Sequence, residues 1–438
     1  MQKPKITFLN HASFIVENNN IKLLVDPYLF GSAFNNGWSL LTEVDHTKQL
    51  DKITHIFYSH EHPDHFSIPF LKKIEISKRK NITILYQQTY DKRVKIFCEK
   101  LGYKFMELKN NFEVSINNNF SLIIGKVPFY DSWINFNING TNILNVNDCV
   151  LENPNIVLEI KGILQRKIDV LFTQFSYANF INEEDQETRA LKQLKKIKIQ
   201  DKVLQPTYII PFASFVYFSH VENKFMNENI NSIKETFNYL TKNCSAKTII
   251  LSPNEEWILN NKENHESLKY WNDVYENINN MNFSGISRTL STEQLIIESK
   301  KYINRVKKMN NFFLIKILYY LGLFPSISIY INDQKIFFKF SIMDGLKISR
   351  RNNDHYFISL SSENLSFIYN YDFGFDTLQV NARLKCNNNY FKKVTKCFLI
   401  GSLNNTGRYI KISNFHKFLN FNFLIRGLEI LNLKKKYY

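Results

Sequence analysis

Six consecutive residues, His60-Glu61-His62-Pro63-Asp64-His65, constrain this chain more than any other stretch. They follow directly on Thr54 to Ser59, a short apolar run that reads as a buried strand. Alternate residues leaving a strand point the same way, so His60 and His62 can reach one ion. A sharp turn then lets the adjacent Asp64 and His65 face a second. Imidazole suits zinc or iron, and a carboxylate adds charge and hardness. A His-rich surface loop is the bland alternative. Three histidines and one aspartate in six residues, placed just after a buried strand, argue against it.

The segments around this motif alternate between strand and helix patterns. Lys5 to Val16 and Ile21 to Asp26 read as a hairpin joined by an Asn-rich turn. Ser67 to Lys80 has a helical apolar face, Ile82 to Tyr86 is strand-like, and Asp91 to Leu101 is helical. From Phe112 to Val146 short strands follow one another, with turns at Asn117-Asn118-Asn119 and Asn139-Gly140. Further strands are expected at Ile168 to Gln174, Tyr208 to Pro211 and Thr248 to Leu251. Helices are expected at Glu183 to Lys198, Glu228 to Lys242 and Asn264 to Ile278. Two β-rich halves with interspersed helices predict an α/β fold, an αββα sandwich. A boundary near residue 285 would divide residues 1–285, carrying the catalytic groups, from a C-terminal α+β domain over 286–438.

Composition narrows the partners. Hydrophobic residues make up 44% of the 438 residues and aromatics 15%, which fits packed domains rather than disorder. The formal charge of +16 suits an anionic substrate. No basic helix with interleaved aromatics stands out, so nucleic acid is not an expected partner. The five cysteines form no CxxC pair, which argues against a disulfide framework or a zinc ribbon. The N-terminus runs into a strand without an apolar signal core, so a cytoplasmic protein is expected. The most apolar window, Phe312 to Ile331, contains Lys316 and Pro325. It reads as a buried helix and a strand rather than a membrane span.

The HxHxDH pattern resembles the metallo-β-lactamase superfamily. That resemblance implies later ligands: a middle histidine, a bridging aspartate and a final histidine. Asp148 in Asn145-Val146-Asn147-Asp148-Cys149 fits the bridging carboxylate, with a helix-capping aspartate as the alternative. His220 in Phe218-Ser219-His220 fits the final histidine. No histidine lies between His65 and His220. In that region Asp131 is the substitute oxygen ligand, and Tyr130 a weaker one. Asn10-His11-Ala12 and Asp26-Pro27 match positions common to the superfamily. His11 would sit at the pocket floor or serve as a hydrogen-bonded core histidine. His11, Tyr130 and Tyr177 are the expected substrate contacts, and Asp64 and Asp148 the catalytic carboxylates.

Three stretches are similar to the metallo-β-lactamase-like part of the CMP-N-acetylneuraminate hydroxylase family. They are Ala33 to Glu43 leading into His60–His65 and Pro69 to Lys73, then Asn142 to Cys149, then Tyr208 to His220. Residues after Pro325 resemble that family more loosely. The family joins this fold to a Rieske domain, whose Cys-x-His ligand pairs do not occur in this sequence. The resemblance implies two transition-metal ions, iron favoured by the carboxylate-richer ligand set and zinc the alternative. It implies an oxygenase that hydroxylates an amino sugar or nucleotide sugar, with an external electron donor. A zinc-dependent hydrolase of a phosphodiester, lactone or amide is the second reading. A degenerate member that only binds a sugar is the third.

Overall fold

A computed structural model describes residues 3–18, 20–89, 92–127, 131–177, 186–349, 357–386, 388–405 and 407–411. Two seven-stranded sheets form its larger part. The first holds, side by side, β1 (Lys5–Asn10), β2 (Ser13–Asn18), β3 (Ile21–Val25), β4 (His55–Tyr58), β5 (Thr83–Gln87) and β6 (Lys104–Leu108). The short strand Glu256–Trp257 edges β1. The second holds β7 (Glu113–Asn117), β8 (Phe120–Lys126), β9 (Ser132–Ile138), β10 (Thr141–Asn145), β11 (Val170–Gln174) and β12 (Tyr208–Phe212), ending on Lys247–Thr248. Strands β3 to β6 pair in parallel, as do β10 to β12.

The alternation of side chains along each strand builds the layers. In β4, Phe57 packs between the sheets with Phe14, Val25 and Phe136, while Ile56 and Tyr58 face the other way. Phe14 stacks on Phe172 with ring centroids 4.1 Å apart, so the two sheets meet directly. Outside the first sheet lie α1 (Ile68–Lys73) and α2 (Arg93–Lys100), which bury Phe70, Leu71, Val94 and Cys98. Outside the second lie α3 (Pro154–Leu164), α4 (Gln186–Leu204) and α5 (Ile233–Asn243). This is the αββα order.

Several local expectations change. Lys5 to Val16 is two strands, not one: the chain reverses at His11-Ala12, where His11 takes a φ of 40° and its N–H donates to Asn10 Oδ1 at 2.9 Å. The helix expected over Ser67–Lys80 breaks at Ile74 and Glu75, whose backbones are extended. The helix expected from Glu228 begins instead at Ser232, where Ser232 and Glu235 form a capping box. Helix α3 was not anticipated, although Asn153 caps it and Pro154 occupies its first turn.

A second hydrophobic core starts at Leu290. It packs α6 (Thr292–Met309), α7 (Phe312–Tyr320), α8 (Ser362–Asn370), α9 (Gly374–Asn381) and α10 (Asn388–Asn405) around a five-stranded sheet centred on Ile327–Ile331. The apolar window Phe312 to Ile331 thus splits into a helix and a strand. The helix is not buried as expected: Ile315 faces the core, while Phe313 and Tyr320 are 70% and 73% exposed. Among the described residues no helix is long and apolar enough to cross a membrane.

Candidate metal centre

The sequence motif lies at the C-terminal end of β4. After Ser59 the chain turns tightly, with His65 N and Phe66 N both donating to His62 O at 3.0 and 2.7 Å. This turn sends His60 and His62 one way and Asp64 and His65 another. Other ligand candidates come from the same edge of the sandwich: His11 from the β1–β2 turn, Asp131 from the start of β9, and Asp148 from the loop after β10.

Three groups of donors converge. In the first, His60, His62 and Asp131 come together, with His60 Nε2 2.8 Å from His62 Nδ1 and His60 Nδ1 3.4 Å from Asp131 Oδ1. In the second, Asp64 Oδ2 lies 3.3 Å from His11 Nε2 and 3.4 Å from His65 Nε2. The third joins them: Asp148 Oδ2 is 3.3 Å from His65 Nε2, and Asp148 groups with His60 and His65. Asp148 therefore stands between the other two groups. It does not cap a helix, because Asn153 is the cap of α3.

Donor atoms on one ion, with bonds of about 2.0–2.2 Å, stand roughly 3 Å apart or slightly more. The contacts of Asp64 Oδ2 with His11 and His65, at 3.3 and 3.4 Å, are close to that spacing, and in every group one donor atom per residue lies within 4.8 Å of the others. Asp64 Oδ1, His65 Nε2, Asp131 Oδ1 and Asp148 Oδ1 are buried and have no hydrogen-bond partner among the described residues. Orphaned polar atoms of this kind are costly unless something binds them. The residues present therefore fit a pair of bound cations.

Asp26 holds this arrangement from behind. Its fully buried carboxylate accepts from Ser59 N at 2.8 Å, Ser59 Oγ at 2.7 Å, Asn147 Nδ2 at 3.1 Å and His65 Nδ1 at 3.2 Å. The contact to Nδ1 leaves Nε2 of His65 facing Asp64 and Asp148. His11, Asp26 and Asn147 all have positive φ, at 40°, 39° and 51°. Unusual backbone geometry is thus concentrated where the site is assembled.

The charges are strongly coupled. Burial opposes the imidazolium of His65, but Asp64 and Asp148 outweigh it and hold its pKa well above the usual histidine value. Burial also opposes the Asp64 carboxylate, yet His65 and His11 keep its pKa well below normal. Burial and then the nearby Asp148 push Asp131 well above the ordinary carboxylate range. His60 is pushed well below the usual value by burial and then by His65.

Not every expected site residue joins the cluster. His220 belongs to none of the three groups. Its Nδ1 faces Glu222 Oε2 at 3.4 Å, and its buried Nε2 has no hydrogen-bond partner among the described residues. Tyr177 is in none of the donor groups; its hydroxyl donates to Met226 O at 2.5 Å, within the apolar cluster that also holds Phe34 and Trp38. Tyr130 lies outside the described residues. Conversely, His11 stands beside Asp64 and His65 in one donor group, and the role of Asp26 was not read from sequence. Its signal was present: an aspartate ending an apolar strand one residue before proline.

The second core reaches this edge. Asn381 Nδ2 donates to Phe34 O at 2.8 Å, and Arg383 Nη1 to Asn35 O at 2.7 Å. Arg383 Nε donates to Glu222 Oε2 at 2.9 Å, beside His220, and Nη2 to Glu363 at 3.2 Å. Asn223 donates to both Gly37 O and Asn381 O, at 2.8 and 2.7 Å.

The two-sheet sandwich is that of a metallo-β-lactamase fold, and residues 5–155 match the family described as the beta-lactamase superfamily domain. Within that class the chain is related to cytidine monophosphate-N-acetylneuraminic acid hydroxylase. It is 30% identical over 263 residues to that protein of Xenopus laevis, covering 55% of this chain and 43% of the relative. For the Cricetulus griseus protein the figures are 29% over 266 residues, 56% and 46%. The match thus spans under half the length of these relatives. Among solved structures, CmlA, a diiron β-hydroxylase from Streptomyces venezuelae, is similar over 59% of this chain and 54% of its own, with 11% identity and a TM-score of 0.42.

Proposed function

We propose that this protein is a binuclear metal oxygenase that hydroxylates an anionic sugar, a sugar nucleotide or a free amino sugar. The observation that carries the reading is Asp131. A buried carboxylate stands beside His60 and His62, where the superfamily resemblance leads one to expect a histidine. Harder oxygen donors favour iron over zinc. The relation to a nucleotide-sugar hydroxylase points the same way.

In this reading His60, His62 and Asp131 hold one ion, His11, Asp64 and His65 the other, and Asp148 lies between them. Bound iron would supply activation of dioxygen. The protein's own residues do the rest. Asp26 orients the His65 ring through Nδ1, and Ser59 Oγ lies 2.9 Å from His60 Nδ1. Phe34 packs edge-on to His62, with Trp38 beside it, and so gives this side of the site an apolar flank. Electron delivery falls to a donor outside these 438 residues.

The test is anaerobic loading with ferrous iron, followed by metal counting and oxygen exposure with CMP-N-acetylneuraminate as the probe substrate. Two irons per chain, oxygen uptake and a product one oxygen atom heavier are expected. Two tightly held zincs with no oxygen consumption would sink the proposal in favour of a hydrolase.

A further inference from the structure

Lys196 lies on the inward face of α4 and is only 3% exposed. Its ammonium has three donors. Among the described residues it makes one hydrogen bond, to Gln174 Oε1 at 3.3 Å, and no ion pair within 4 Å. A buried ammonium without a counter-charge in contact costs several kcal/mol on general grounds. Such a group calls for an anionic partner.

Its location says which partner. Gln174 is the last residue of β11, which runs parallel to β10 with Phe172 opposite Asn145. Two residues further along, β11 ends at Gln174 and the β10 chain passes through Asn147 to Asp148. Lys196 therefore meets the strand-end edge where the donor groups lie; burial lowers its pKa, and Asp148, then the exposed Glu152, then Cys149 and Asp131 oppose that shift. One turn along α4, Gln200 Nε2 is also buried and has no partner among the described residues, while its Oε1 accepts from Thr173. The two side chains place two underused donors at i and i+4 on one helix face. Two divalent ions would match the charge of Asp26, Asp64, Asp131 and Asp148 in full. Lys196 is then not required as their counter-ion.

We infer that Lys196, assisted by Gln200, is the anchor for an anionic oxygen group of the ligand, a carboxylate or a phosphate, beside the metal centre. The inference rests on the proposed function for its choice of ligand, since an acidic sugar nucleotide carries both groups. The anchor fixes one end of the ligand and so sets which carbon faces the ions.

The test uses the full chain loaded with zinc, with metal content measured separately. The Nζ resonance of Lys196, identified by its loss in Lys196→Met, is followed during titration with inorganic phosphate and, in a second arm, with N-acetylneuraminate. A saturable shift with either probe, and at least a tenfold weaker affinity in Lys196→Met partly restored in Lys196→Arg, is expected. The arm that responds identifies phosphate or carboxylate as the anchored group. If neither probe moves the resonance, or if Lys196→Met binds both as tightly as the parent, the inference is overturned. Loss of metal in Lys196→Met with unchanged anion affinity also overturns it, by making the lysine a partner of the ligand carboxylates. A chain that takes up no metal, while Lys196 still responds to the anions, would instead defeat the oxygenase reading alone.

Discussion

Asp26→Asn separates the assembly of the site from its ligands. Asparagine tolerates the positive φ of 39° at this position, so the backbone should be preserved. The electrostatics should not. The carboxylate accepts four hydrogen bonds, three of them on Oδ2. The best placement of the amide puts its oxygen at the Oδ2 position and its NH₂ against the N–H of Ser59. One buried donor then loses its acceptor, a penalty of about 1–3 kcal/mol. The three remaining bonds lose their charge assistance, so the total loss of stability is about 2–5 kcal/mol. His65 also loses the group that orients it. Outer-shell losses of this kind weaken metal binding by roughly 10–100-fold. Urea denaturation of metal-free protein reads the first quantity, and competition with a chelator reads the second. Destabilisation with unchanged metal affinity would refute the argument, because Asp26 would then support the loop without orienting a ligand.

Three further outcomes follow from named contacts. Asp131→Ala should lower occupancy of one metal site and spare the other; unchanged metal content by elemental analysis would reject Asp131 as a ligand. Gly125→Ala would place a Cβ 2.0 Å from the Trp133 ring, and overpacking of this sort costs about 1–3 kcal/mol, to be read as a lower urea midpoint. Arg383→Gln should destabilise the protein at neutral pH by stranding Glu222 and Glu363. Burial raises the pKa of Glu363, but Ser287 and Arg383 outweigh it and leave the value below normal. A depressed carboxylate contributes stability above its unfolded pKa of about 4.3 and loses it as pH falls through the folded value. The gap between parent and variant should accordingly narrow in acid; a gap that widens below about pH 4 would contradict the assignment.

The motif was legible because its chemistry is compressed into six residues after a strand whose alternation is plain. The β7–β10 meander was legible for a similar reason: Asn-rich turns punctuate apolar runs. The reversal at His11 was not, because Lys5 to Val16 has no glycine or proline to mark it, and the turn is stabilised by the Asn10 side chain. The break at Ile74 lies inside an unbroken helical pattern, where position alone gives no warning. Lys196 was invisible for a different reason. In a chain with 56 lysines and arginines, only burial distinguishes it from a solvated neighbour.

The contacts of Arg383 and Asn381 extend this point to the site itself. Phe34 packs edge-on to His62, with ring centroids 5.9 Å apart, and its carbonyl is held by Asn381, 347 residues further along the chain. Gly37 lies under the same residue; a Cβ there would approach the Asn381 Cβ to 2.3 Å. The loop that flanks one donor group is therefore shaped by a segment far from the motif. Burying the Arg383 guanidinium between Glu222 and Glu363 requires both partners in place, so the contact is specific rather than adhesive. Ligand chemistry is set by the strand ends of the sandwich, whereas the shape of the mouth depends on this distant wall. Two chains sharing the motif can for that reason present the same donor groups within differently shaped surroundings.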